Sequence, residues 1–250
     1  MTGPRIVRHS DRDALGRASG DEAAAALRAA LSARGRANLI LATGASQFGT
    51  LARLVAAPGI EWPRVTLFHL DEYVGLSAEH PASFRRYLRE RFVSRLPTRP
   101  AAFHEIDGQA PDPAAECRRL GELILANPVD VALVGIGENA HLAFNDPPAD
   151  FATEAPYIPV TLDEACRRQQ FGEGWFPSLA DVPTRAVSMS IRQILRSALI
   201  VCSVPERRKA PAVRDSLLGP VTPDVPASIL RTHPNTTVHL DAESASLLGG

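Results

Sequence analysis

Residues 129–148 read VDVALVGIGENAHLAFNDPP, and the fold class turns on how this stretch is read. Val129 to Val134 is apolar except for Asp130 and stops at a glycine. A short apolar run of this kind is a strand buried on both faces, which is how strands of a helix-covered parallel sheet read. The residues that follow have the spacing G-x-G-x-x-A of a dinucleotide fingerprint. That fingerprint needs a helix to start there and continue, and Pro147 with Pro148 stops one almost at once. The segment is therefore a strand and a glycine-rich loop that gathers an amide, an imidazole and a carboxylate: Asn139, His141 and Asp146.

Working outward, the same strand–helix alternation covers the chain. Strands are expected over 38–43, 65–70, 186–190, 198–203 and 236–240. Helices are expected over 21–34, 47–56, 83–95, 114–127 and 206–218. Crossovers of this length imply one α/β domain over residues 1–250, with a Rossmann-like, open, mostly parallel sheet and helices on both faces. Open sheets of this class bind ligands beyond the carboxyl ends of their strands, so the residues that follow each strand are the candidates.

After the first strand comes Thr43, Gly44, Ala45 and Ser46. Small residues ahead of a helix let backbone N–H groups close on an anion, although a plain tight turn with Ser46 as N-cap uses the same residues. No Gly-Lys-Ser/Thr follows, so this is not a Walker loop. After the second strand come Asp71 and Glu72. One of them could serve as a general base in the cleft, or one could cap the next element while the other is solvated. At the third strand end, an imidazole oriented by a carboxylate suits proton transfer near neutral pH.

Composition narrows the function classes. The chain has 27 basic and 28 acidic residues, a formal net charge of −1. This is unlike a protein that binds nucleic acid or an anionic membrane surface through a basic surplus. No apolar run approaches the ~18 residues of a membrane span, and the first residues carry no secretory h-region. Cys117, Cys166 and Cys202 are far apart in sequence, no His-x-x-x-His occurs, and no cysteine lies near His141 along the chain. No metal or other cofactor is expected, and without a G-x-S-x-G elbow there is no case for a serine nucleophile. A reducing cytosol fits the cysteines. Lys209 is the only lysine among the 27 basic residues. It falls just after the strand expected over 198–203, where an ammonium could meet a phosphate.

These segments together resemble the glucosamine-6-phosphate deaminases, whose fold is shared with 6-phosphogluconolactonases. The resemblance runs from about Ala37 to about Leu248 and is carried by LATGAS, FHLDEYVGLSAEHPASF, GIGENAHLAFNDPP, VPTRAVSMSI and VPERRKA. It implies an enzyme that turns an amino-hexose 6-phosphate and water into fructose 6-phosphate and ammonia. Asp71 matches the base that moves a proton between C2 and C1, and His141 the group that opens the pyranose ring. Asn139 and Asp146 match the residues that orient His141. Thr43 to Ser46, Gly137 and Lys209 match the phosphate and sugar grip, together with an arginine that corresponds to Arg168 or its neighbour Arg167.

The chain departs from the family pattern in three places. Asp146 stands where Glu is usual, one methylene shorter. Asn139 stands where some members have Asp. Tyr157 and the residues after it lack the basic side chains that bind an allosteric effector phosphate, so no such allostery is expected. A 6-phosphogluconolactonase-type lactone hydrolase and a non-catalytic sugar-phosphate sensor are the alternatives. Asp71, His141 and the segment 144–147 speak against them. The resemblance leaves open whether the protein is a monomer or a small homo-oligomer.

Overall fold

The computed structural model describes residues 3–249. Ten strands form two sheets. The strands are β1 (Arg5–His9), β2 (Ala37–Leu41), β3 (Val65–His69), β4 (Asp71–Tyr73), β5 (Ala102–His104), β6 (Val131–Val134), β7 (Tyr157–Thr161), β8 (Arg185–Met189), β9 (Leu199–Val204) and β10 (Thr236–Asp241). The helices are α1 (Arg12–Arg34), α2 (Phe48–Ala56), α3 (Phe84–Arg91), α4 (Pro113–Leu125), α5 (Glu164–Gly172), α6 (Ile191–Leu195) and α7 (Ala210–Leu218).

The main sheet has seven strands in the order β1-β10-β9-β6-β2-β3-β5, and every pairing is parallel. Every residue of β2, β6, β9 and β10 is buried, as expected of central strands covered on both faces. From β2 the chain builds outward through β3 to β5, then returns so that β6 pairs with the other side of β2. The order reverses between β2 and β6, and the crevice at such a reversal is where open α/β sheets take their ligands.

The expected strand over 186–190 forms as β8 but joins a different sheet. It pairs antiparallel with β4 on one side and β7 on the other. This three-stranded sheet anchors β4, and with it Asp71, at the end of the main sheet.

Helix α1 begins nine residues before its expected start. Asp11 caps it by accepting from the Ala14 N–H at 2.8 Å, and Gly35 ends it in the left-handed conformation, φ 69°. Gly16, Ser19 and Gly20 make this first part read as a non-helical stretch. Their role is close packing: a Cβ at Gly16 would lie 2.7 Å from the Cα of Gly49 in α2. Strand β7 was unexpected because of Pro159, which is tolerated because β7 is an edge strand. The helix expected over 206–218 is a 3₁₀ turn, Arg207–Lys209, followed by α7.

Candidate active site

Four strand ends meet at one pocket. Thr43 to Ser46 follow β2, Leu70 and Asp71 follow β3, Gly135 to Gly137 follow β6, and Pro205 to Lys209 follow β9. The loop after β6 adds His141, and Gln169 and Gln170 of α5, with Glu173 just after it, complete the lining.

Asp71 is 6 % exposed. Its Oδ1 is sealed from solvent and has no hydrogen-bond partner. Burial first, and the neighbouring Glu72 charge second, push its carboxyl up to about 8. Both effects penalise the ionised form. Glu72 points elsewhere. Its oxygens accept from the N–H groups of Tyr73, Phe84 and Arg85 and from the Ser83 hydroxyl, so it caps α3 from within the core. The Asp-Glu pair therefore divides into a structural cap and a buried carboxyl in the pocket, and neither is solvated.

His141 packs against Gly137 so closely that a Cβ there would lie 2.3 Å from ring atoms of the imidazole. The Gly137 N–H donates to the His141 carbonyl at 3.0 Å, and Ala140 and Ala143 adopt positive φ of 65° and 53°. Non-glycine residues pay ~1–3 kcal/mol for such backbone, which persists where surrounding structure imposes it.

The Nδ1 of His141 lies 3.3 Å from the Oδ1 of Asp146, though the two are not aligned as a hydrogen bond. The shorter acid therefore reaches the imidazole directly, because the loop brings it close. Asn139 fixes Asp146, not the ring. Its Nδ2 donates to Asp146 at 3.1 Å and to Asp163 at 3.2 Å, while its Oδ1 accepts from the His141 backbone N–H at 3.2 Å. The Asp163 N–H donates to the other Asp146 oxygen at 3.0 Å. Burial favours the neutral form of Asp146, but the His141 contact and these two donors outweigh it and hold its carboxyl below the usual range.

In the loop after β2, Gly44 takes φ 88°, and Ala45–Gln47 form a 3₁₀ turn leading into α2. Ser46 makes no capping bond there, so the N-cap reading of this residue does not hold. Lys209 is 4 % exposed, and burial pulls its ammonium down to about 8. Arg12 was not anticipated. It donates to the Ala45 carbonyl and pairs with Glu206 at 3.0 Å, tying the loop after β2 to the loop after β9.

Arg168 does not line this pocket. It is exposed and pairs with Glu164 one helical turn away. Arg167 is spent on the Leu179 and Val182 carbonyls. The arginine in the pocket is Arg208, which pairs with Glu138 at 2.8 Å, Glu173 at 3.4 Å and Glu206 at 2.6 Å. Sequence position misled here because α5 turns the side chains of 169, 170 and 173 inward and those of 167 and 168 away. The helical register could not be set without a clear apolar stripe.

Although no cysteine is near His141 along the chain, Cys166 is near it in space. Donor atoms of His141, Asp146 and Cys166 lie within 4.8 Å of one another, the one such group among the described residues. Burial pushes the Cys166 thiol far up.

The fold and site define an open parallel-sheet α/β protein whose switch-point pocket gathers a small-residue loop, a buried cation, a buried carboxyl and a carboxylate-coupled imidazole. The chain belongs to the family described as glucosamine-6-phosphate isomerases/6-phosphogluconolactonase, whose model matches residues 10–239. Its relatives include glucosamine-6-phosphate deaminases. One, from Lactobacillus delbrueckii subsp. bulgaricus, is 37% identical over 86% of this chain and 88% of its own length. Glucosamine-6-phosphate deaminase 1 of Bacillus subtilis is 38% identical over 83% of this chain and 86% of its own length. The structure of a monomeric glucosamine-6-phosphate deaminase superposes with a TM-score of 0.88 at 34% identity, covering 97% of this chain and 99% of that one. A 6-phosphogluconolactonase from Thermotoga maritima shares the fold, with a TM-score of 0.77 at 16% identity over 95% of this chain and 99% of that one.

Proposed function

We propose that the protein converts glucosamine 6-phosphate and water to fructose 6-phosphate and ammonia. The observation that carries this reading is that Asp71, His141, Lys209 and the loop Thr43–Ser46 all line one pocket. An acid–base pair and an anion seat in one pocket suit a substrate with a reacting end and a remote phosphate.

Lys209 and backbone N–H groups of residues 43–46 hold the phosphate. Anchoring the non-reacting end fixes the carbon chain and so positions C1 and C2. His141, coupled to Asp146, transfers a proton to the ring oxygen and opens the pyranose to the aldehyde. Asp71 then takes the proton from C2, giving an enolamine, and returns it to C1, giving a ketimine at C2. Water adds to the C=N carbon, and the carbinolamine expels ammonia and leaves the ketone of fructose 6-phosphate. A base near neutrality is matched to this task. The positive charge on the bound substrate's nitrogen favours the ionised Asp71.

The same reading places the protein in a reducing compartment such as the cytosol, consistent with Cys117, Cys166 and Cys202 all being buried and free. No helix among the described residues is long and apolar enough to cross a membrane. The test of function is production of ammonia and fructose 6-phosphate from glucosamine 6-phosphate, with opening of 6-phosphogluconolactone assayed in parallel. Lactone opening without ammonia release would replace the proposal with a hydrolase.

A further inference from the structure

Helix α5 and Glu173, which caps it, touch two groups of residues that line the pocket. At its start, the Cys166 thiol lies within 4.8 Å of the donor atoms of His141 and Asp146. At its end, Glu173 pairs with Arg208, and a Glu173 oxygen lies 4.0 Å from where a Cβ on Gly44 would be. Seven residues of helix rise ~10 Å, a span comparable to an extended six-carbon chain with its phosphate. Gln169 and Gln170 lie between these ends and line the pocket.

The two amides are not equivalent. Gln169 is committed at both ends: its Oε1 accepts from the Glu138 N–H at 2.8 Å and its Nε2 donates to Glu173 at 3.0 Å. Gln170 is committed at one end only. Its Oε1 accepts from the Tyr73 hydroxyl at 2.8 Å, and its Nε2 has no partner among the described residues. That nitrogen is not among the polar atoms sealed from solvent, although the residue is only 6 % exposed. Tyr73 is itself fully buried, and burial keeps its hydroxyl protonated. In this arrangement the hydroxyl donates to the amide oxygen of Gln170, which leaves the amide nitrogen available. Tyr73 and Asp71 lie two apart on β4, on one face of the strand, which puts this donor on the side of the proposed base.

We propose that Gln170 determines substrate recognition by donating from Nε2 to a mid-chain hydroxyl of the open amino-sugar phosphate, between the carbons that react and the phosphate, with Tyr73 as its positioning residue. This rests on the deaminase reading for the identity of the ligand. An amide here stands where the family resemblance implies an arginine from α5. It offers directional hydrogen bonding with no charge, so it discriminates hydroxyl placement and leaves phosphate affinity to Lys209 and the loop 43–46.

The test measures binding of two probes by calorimetry: 2-amino-2-deoxyglucitol 6-phosphate, which is open-chain and inert, and inorganic phosphate. Gln170→Leu should weaken the hexitol phosphate ~10-fold or more, because a recognition hydrogen bond is lost, and leave inorganic phosphate within ~2-fold. Tyr73→Phe should produce a smaller loss of the same kind, through the unfixed amide. Gln170→Glu keeps the volume and the Tyr73 bond but removes the donor, so it decides the matter if the leucine variant folds poorly. Hexitol phosphate binding within ~2-fold of wild type in both Gln170 variants, or equal loss for both probes, overturns the assignment. Ammonia release by the wild type is scored separately. Its absence sinks the deaminase reading, while the Gln170 variants still report on the hydroxyl contact.

Discussion

His141 and Asp146 approach to 3.3 Å, Nδ1 to Oδ1, without the alignment of a hydrogen bond. The carboxylate is pinned by donors from Asn139 and Asp163, so it is the imidazole that must turn to complete the pair. Coupling of this kind stabilises the imidazolium that forms while His141 carries a proton. Asp146→Asn keeps the shape and removes the charge, so it should lower kcat by ~10²-fold or more, with KM little changed. Steady-state kinetics on glucosamine 6-phosphate check this, and an unchanged kcat would show that His141 works without Asp146.

Gly137 sits under the imidazole with no room for a Cβ, which would approach the ring to 2.3 Å. Gly137→Ala must displace His141. It should lower kcat ~10²-fold, the cost of misplacing a reacting group by about 1 Å. Wild-type turnover in the alanine variant would show that the position of the ring is not critical.

Gly16 and Gly49 bring α1 and α2 into contact. Gly16→Ala should destabilise the fold by ~1–3 kcal/mol through overpacking and leave kcat unchanged. Urea denaturation measures the first and kinetics the second.

The pH profile of kcat/KM should be bell-shaped, with both limbs near 8. Asp71 is pushed up to about 8, so the ionised base is lost as pH falls through that value. Lys209 is pulled down to about 8, so the ammonium is lost as pH rises through it. The alkaline limb should be absent from kcat, because bound phosphate holds the Lys209 proton. Lys209→Arg should remove the alkaline limb from kcat/KM, since a guanidinium stays charged. It should also raise KM, because a planar fork does not fit a seat built for a compact ammonium. An alkaline limb that persists in Lys209→Arg belongs to another group.

Much of this site was legible because its residues are punctuated by sequence signals. Glycines and prolines bracket 135–148, and Lys209 stands out as the only lysine. Apolar runs located the central strands within a residue or two, because β2, β6 and β9 are buried on both faces. What depends on tertiary contact was hidden. Gly16 and Gly20 disfavour helix on their own, and their place in α1 comes from the close packing of α2 against them. Strand β7 contains Pro159 and exists because β8 pairs with it. The inward face of α5 is amphipathic only with respect to a polar pocket. Apolar periodicity therefore could not show that Gln169, Gln170 and Glu173 point in while Arg168 points out. Arg12 reaches the loop after β2 only because α1 begins earlier than its composition suggests.

The central claim is that Asp71 moves the C2 proton of an amino-sugar phosphate held at its far end. Its most direct test compares wild type and Asp71→Asn for ammonia release from glucosamine 6-phosphate, with binding of the same sugar phosphate measured alongside. Ammonia is expected from the wild type, none detectable from Asp71→Asn, and sugar-phosphate affinity retained in the variant. Ammonia release at the wild-type rate from Asp71→Asn, or lost binding together with lost turnover, would contradict it.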